Sequence, residues 1–216
     1  MDTSGFAEVV IKLKKWPESA SLQEVSEIWK NIGYRFNDEI EKSLGEGKDL
    51  SLDQKMRLSL QSVLFLNYEG ETARAYERLK QAKGLLDGHE SESKRWLYTF
   101  LFYQGVTAMR RGENENCIMC RGESSCILPI SDAAIHTKPD GSRLAIKHFT
   151  EYLERFPDDL EVRWLLNLAH MTLAEYPKGV DAKYLVPLDH WLKSEFDIGR
   201  FRDIGERAGV NRMNQA

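Results

Sequence analysis

No apolar run in this chain approaches the roughly 18–20 residues needed to span a bilayer, so a membrane-spanning helix is excluded. No basic stripe is present either. The 30 Lys and Arg are scattered among 34 Asp and Glu for a net charge of -4, which argues against a nucleic-acid partner. A nucleophile elbow, a phosphate-cradling glycine loop, an H-E-x-x-H pair and a paired-carboxylate signature are all missing, so no assembled catalytic set is legible. The opening stretch, MDTSGFAEVVIKLKKW, is too charged and too short in its apolar part for a secretory signal. Two readings of that absence stand: a cytoplasmic protein, or a start Met that replaces a removed leader. Outside one insert there is no strand pattern of useful length.

What is present is helical periodicity. Hydrophobic residues make up 42% and charged residues 30% of 216 positions, the composition of a globular chain long enough to bury a substantial core. Residues 5–16 form a short helical candidate closed by Pro17. Residues 21–44 form a clearer one, with Ser21 and Glu24 in capping-box spacing and Val25, Ile28, Trp29, Ile32, Phe36 and Ile40 on one face. A helix from Ser51, with Ser51 or Asp53 as cap, is interrupted at Gly70, and 71–86 is its antiparallel partner. After a polar connection over 84–94 comes an amphipathic helix bearing Trp96, Phe100, Tyr103 and Val106. Two more follow, GSRLAIKHFTEYLERFPDD and LEVRWLLNLAHMTLAEYP, each ended by proline. Asp158 or Asp159 suits the cap of the latter. A further short helical piece is expected around 188–196.

Helix pairs invite a search for repeats. Gly70, Ala75 and Ala82 suit the turn and close-contact sites of one tetratricopeptide-like unit. Gly105, Ala108 and Gly112, then Ala145, Phe149 and Pro157, suit the two helices of a second. The helix from Trp164 to Ala174 reads as a lone cap of the stack. The expectation is an all-α, tetratricopeptide-like stack of helix hairpins over residues 1–180, with an insert at 113–140 and a C-terminal extension over 181–216. The alternative is generic helix packing without a true repeat.

The insert, NCIMCRGESSCILPISDAAIHTKPDG, holds all three cysteines in the spacing Cys117-x2-Cys120-x5-Cys126, with His136 ten residues later. A disulfide between two of the three, a zinc, copper or iron–sulfur seat built from three thiolates and an imidazole, and unreacted thiols are the competing readings. Arg121 stands where the ligand of a c-type haem site would have to be histidine, which excludes that site. His148 and His170, on apolar helices, read as hydrogen-bonded core histidines. Trp96, Tyr103, Tyr152 and Trp164 read most simply as core, with a minority available to line a groove that takes a partner's segment.

ENCIMCRGESSCILPI, then IHTKPDGSRLAIKHFTEYLERFPDDLEVRWLLNLAHMTLAEYP and FDIGRFRDIGERAGVN, together resemble the helical-repeat region of the cartilage-acidic-protein-like (ASPIC/UnbV) family, over about residues 93–211. The resemblance implies tetratricopeptide-like helices, export from the cytoplasm and a downstream FG-GAP β-propeller as a docking partner. It marks Cys117, Cys126 and His136, and leaves Cys120 as an addition. No D-x-D-x-D-G loop is present, so calcium binding does not transfer. The leading expectation is therefore a non-enzymatic helical-repeat module, without cofactor, that binds a protein, a peptide or a neighbouring domain. The alternative is a metal- or redox-binding accessory module using Cys117, Cys120, Cys126 and His136.

Overall fold

The computed structural model describes residues 3–45, 49–116, 130–188, 204 and 207–209. All regular structure among them is helical: α1 (Phe6–Lys12), α2 (Leu22–Trp29), α3 (Ile32–Gly45), α4 (Leu52–Tyr68), α5 (Thr72–Gly84), α6 (Glu90–Asn116), α7 (Asp140–Arg155) and α8 (Leu160–Met171), with a 3-10 turn at Asp132–Ala134. None of these helices is long and apolar enough to cross a membrane. The chain divides into two units, Met1–Val186 and Pro187–Ala216. In the second, the described backbone includes a turn in which Ala208 N–H donates to the Ile204 carbonyl. The helical piece expected at 188–196 lies almost wholly outside the described residues.

Local chemistry starts three of the helices. Ser21 Oγ accepts from Glu24 N–H while the Glu24 carboxylate accepts from Ser21 N–H, and Ser51 and Gln54 repeat the exchange at α4. The Asp159 carboxylate accepts from Val162 N–H at α8. Each cap satisfies donors that have no partner inside the helix. Gly70, at φ 80°, ends α4 in a Schellman turn, with Glu71 N–H donating to the Leu66 carbonyl at 2.8 Å. The turn is so short that α5 packs back against α4.

Three boundaries differ from the periodic reading. The helix expected over 21–44 is two helices, broken at Asn31, which sits at φ 53°. Asn tolerates this left-handed conformation because its short polar side chain bonds locally. The break sets Gly33 against α4, where its N–H donates to Glu69 Oε1 at 2.7 Å and a Cβ would collide with the same side chain. The first helix stops at Lys12, before Trp16. The long helix begins at Glu90, inside what reads as a polar connection.

α6 organises the first unit. It packs against α5 and α7 and also touches α4, and every residue from Phe100 to Met109 is buried. A helix enclosed on all sides is not amphipathic over that stretch, whatever its aromatic spacing suggests. Gly105 lets α7 come close, for a Cβ there would lie 2.3 Å from the Phe149 ring. Two turns on, the backbones of Gly112 and Gly141 meet: a Cβ on Gly141 would lie 2.5 Å from Gly112 N. Leu79, Phe100, Leu101, Phe149, Leu153 and Leu166 lie among the largest fully buried side chains. A smaller core at the N-terminal end gathers Val9, Ile32, Ile40 and Phe65. Polar pairs tie neighbouring helices across both cores: Ser62 Oγ donates to Asn37 Oδ1 at 2.6 Å, and Asn67 Nδ2 to Thr107 Oγ1 at 3.0 Å.

Candidate functional site

Cys117, Cys120 and Cys126 lie outside the described residues. His136, the fourth member of the expected set, is half-buried where the insert returns to the helices. Its backbone N–H donates to the Thr172 carbonyl at 2.8 Å. Its Nδ1 is 2.9 Å from Ser142 Oγ, which is 2.7 Å from Thr172 Oγ1, which donates to the Ala169 carbonyl at 2.8 Å. Following the protons along this chain assigns the tautomer. The Thr172 hydroxyl proton goes to Ala169, the Ser142 proton therefore goes to Thr172, and Ser142 accepts from His136 Nδ1–H. Burial pushes the His136 pKa down, so the ring is neutral at neutral pH and Nε2 is its unprotonated nitrogen. Among the described residues no group of three His, Cys, Asp or Glu is placed to hold a metal ion.

Asn116 fastens both ends of the insert. Its Oδ1 accepts from Lys138 N–H at 2.9 Å, and its Nδ2 donates to the Lys138 carbonyl at 3.0 Å and to the Gly112 carbonyl at 2.7 Å. The close Gly112–Gly141 approach sits directly beneath. Neither Asn116 nor the Ser142–Thr172 pair is singled out by sequence reasoning, because single Asn, Ser and Thr residues carry no spacing signature.

His148 and His170 are core residues with partners, as their helical positions suggest. Tyr76 O–H meets His148 Nε2 at 2.8 Å, and burial lowers the His148 pKa to about 4, with Lys83 adding to the effect. His170 Nδ1 lies 3.1 Å from Glu175, whose carboxylate Arg143 holds below the usual range.

The four aromatic candidates differ in burial. Trp96 and Tyr103 are buried. The Trp96 indole N–H donates to Asp53 Oδ1 at 3.0 Å, and the guanidinium groups of Arg57 and Arg95 lie 5.6 and 5.9 Å from its ring. Tyr152 is half-buried and donates to Asp159, and burial together with that bond raises its pKa to about 12. It joins Tyr98, Phe102 and Phe156 in a cluster of tilted and edge-on rings. Trp164 is half-buried on α8.

Among the described residues, exposed apolar side chains gather at the N-terminal helices. Phe6, Ile11 and Leu22 are 54%, 77% and 89% exposed, and Val10 and Trp16 are also exposed. Phe6 stacks on Trp29 at 6.0 Å. With Val10, Leu13, Lys14, Lys15 and Trp16 they line a groove of about 340 Å³ along α1. The cue in the sequence is the width of the apolar face: FAEVVIKLKKW places Phe6, Val9, Val10, Ile11 and Leu13 around more than half of one helical turn. Only Val9 of these is buried. No family model, no curated protein and no solved structure matches the chain.

Proposed function

We propose that this chain is a non-enzymatic helical-repeat module that docks a segment of another protein or a neighbouring domain. The observation that carries the reading is the unburied apolar end at α1 and α2. Stacks of helical units normally close with a polar outer face. Here the end of the stack presents bulky apolar side chains and a groove, the pattern of a surface that is covered when the module works. The stack is read as tetratricopeptide-like. α4 with α5 and α6 with α7 are its hairpins and α8 its lone final helix, the small residues Gly70, Gly105 and Ala145 lying at the turn or contact positions such units require. Kinship with the ASPIC/UnbV-like family rests on the quoted motifs alone, and export and a propeller partner rest on that kinship.

Selection of a random displayed-peptide library on the full chain tests the reading, with a Val10→Ser/Trp16→Ser double variant as counter-target. Peptides enriched on the parent and lost on the variant are expected. Equal enrichment on both, or none, removes the assignment. The two positions are exposed, so circular dichroism of the variant is expected to match the parent.

A second reading, a metal- or redox-binding accessory module, is favoured by one observation. His136 holds its proton on Nδ1 through a buried hydroxyl chain and keeps Nε2 as the lone-pair nitrogen, which is how ligating histidines are commonly oriented. Elemental analysis with free-thiol counting tests it. One zinc, copper or iron centre per chain and no disulfide supports this second role; a disulfide and no metal ends it.

A further inference from the structure

We infer that the α1 groove takes an acidic amphipathic helix of a partner protein. This deepens the docking role proposed above and rests on it. The floor and walls are apolar, formed by Phe6, Val10, Leu13, Trp16 and Trp29, and among the described residues the only charged side chains lining it are Lys14 and Lys15. Neither lysine has an ion pair among the described residues, and both are exposed. Glu18, two residues beyond Trp16, is exposed and does not line the groove; other nearby charges are engaged or turned elsewhere. Lys12 lies over the Phe36 and Phe65 rings at 5.5 and 5.7 Å, on the inner side of α1. Glu8 lines a separate cavity with Leu50, Gln54 and Arg57. Glu24 is held by Ser21, and Glu27 pairs with Lys30. The groove therefore shows a basic lip on a chain whose net charge is -4.

That combination selects one occupant. A helix with bulky side chains at i, i+3/i+4 and i+7 fills an apolar groove of this kind, and carboxylates flanking that stripe meet the two lysines. A second copy of the chain would bring four lysines together across a two-fold axis, which like-charge repulsion opposes. An anionic bilayer meets two lysines but also the excess negative charge of the rest of the chain.

The probes are two labelled synthetic peptides with one shared Leu/Phe pattern, Glu and Asp at the flanking positions of one and Lys and Arg in the other. Anisotropy against the full chain is expected to give the acidic peptide a Kd at least about tenfold lower than its basic twin. Lys14→Glu/Lys15→Glu is expected to reverse that order, and Trp16→Ser to weaken both. Salt near about 0.5 M is expected to shrink the difference several-fold, as screening requires. Equal affinity for the twins, no binding of either, or no effect of the lysine changes overturns the inference. So does groove-dependent binding to phosphatidylserine vesicles in place of the peptide, or a dimer in sedimentation that Trp16→Ser abolishes. If library peptides enrich through the groove but the acidic probe fails here, the partner's chemistry is wrong and the docking role stands. If neither binds, both fall.

Discussion

The middle of the first unit and its N-terminal end contrast sharply in how they use apolar side chains. Around α6, ten consecutive residues from Phe100 to Met109 are buried, and the neighbouring helices come close enough that Gly105 leaves no room for a Cβ. At the N-terminal end, α2 buries no residue completely and α1 buries only Val9, although α1 carries Phe6, Val9, Val10 and Ile11 and α2 carries Leu22, Val25, Ile28 and Trp29. The difference is one of partners rather than composition. α6 is surrounded by three helices, whereas the outer sides of α1 and α2 have no further helix among the described residues to pack on. Hydrophobic content alone therefore does not identify a core; the number of surfaces available to cover it does.

That contrast can be broken first at Phe149. Phe149→Ala removes a fully buried ring beside Gly105 and is expected to destabilise the fold by about 3–5 kcal/mol in urea unfolding. Ile11→Ser, at a site 77% exposed, is expected to change stability by no more than about 0.5 kcal/mol. Comparable losses at the two positions would mean that α1 is core after all.

The next effect belongs to pH. His148 is buried between Tyr76 and the helices, with Lys83 and Lys147 favouring its neutral form and Glu151 opposing them. Its folded pKa of about 4 lies below the unfolded 6.5, so between those values the unfolded chain binds more protons. Its contribution is complete above pH 6.5, declines as pH falls, and loses nothing more below about 4, a total of about 3 kcal/mol. His148→Gln, which keeps an acceptor for Tyr76, is expected to flatten this limb of a stability-against-pH curve. An unchanged limb would place the titration elsewhere.

Smaller effects sharpen the comparison. Gly105→Ala is expected to destabilise by about 1–3 kcal/mol, since Phe149 must move aside for the new methyl. Ser51→Ala and Ser21→Ala each remove a capping box and are expected to lose about 1 kcal/mol. The loss at Ser51 is expected to appear in global unfolding because α4 belongs to both cores. The loss at Ser21 is expected to appear instead as faster amide exchange confined to α2.

Much of the helical plan is legible in the amino-acid sequence. The capping boxes at Ser21 and Ser51, the stop at Gly70 and the Asp159 cap all depend on bonds within a few residues, and local sequence encodes them directly. The break at Asn31 is less visible, because Ile28, Trp29, Ile32 and Phe36 continue the helical period across it. The early start of α6 is hidden because Glu90 and Glu92 read as linker, although negative charge suits a helix N-terminus. At the insert, His136 is conspicuous by residue type while Asn116 is not, yet Asn116 makes two of the bonds that fasten the end of the insert to α6. The α1 groove goes unnoticed for a different reason: periodic apolar residues are read as core by default.

The order of amino acids determined, without further information, that the regular structure is helical and where most helices begin and stop, since periodicity and caps act over one or two turns. Which apolar faces are covered was decided only by tertiary packing. Enclosure of α6, contact of Gly112 with Gly141, the proton order through His136, Ser142 and Thr172, and exposure of the α1 groove each depend on residues distant in the chain. Burial is a property of what arrives from elsewhere to exclude water, and no local pattern encodes that arrival.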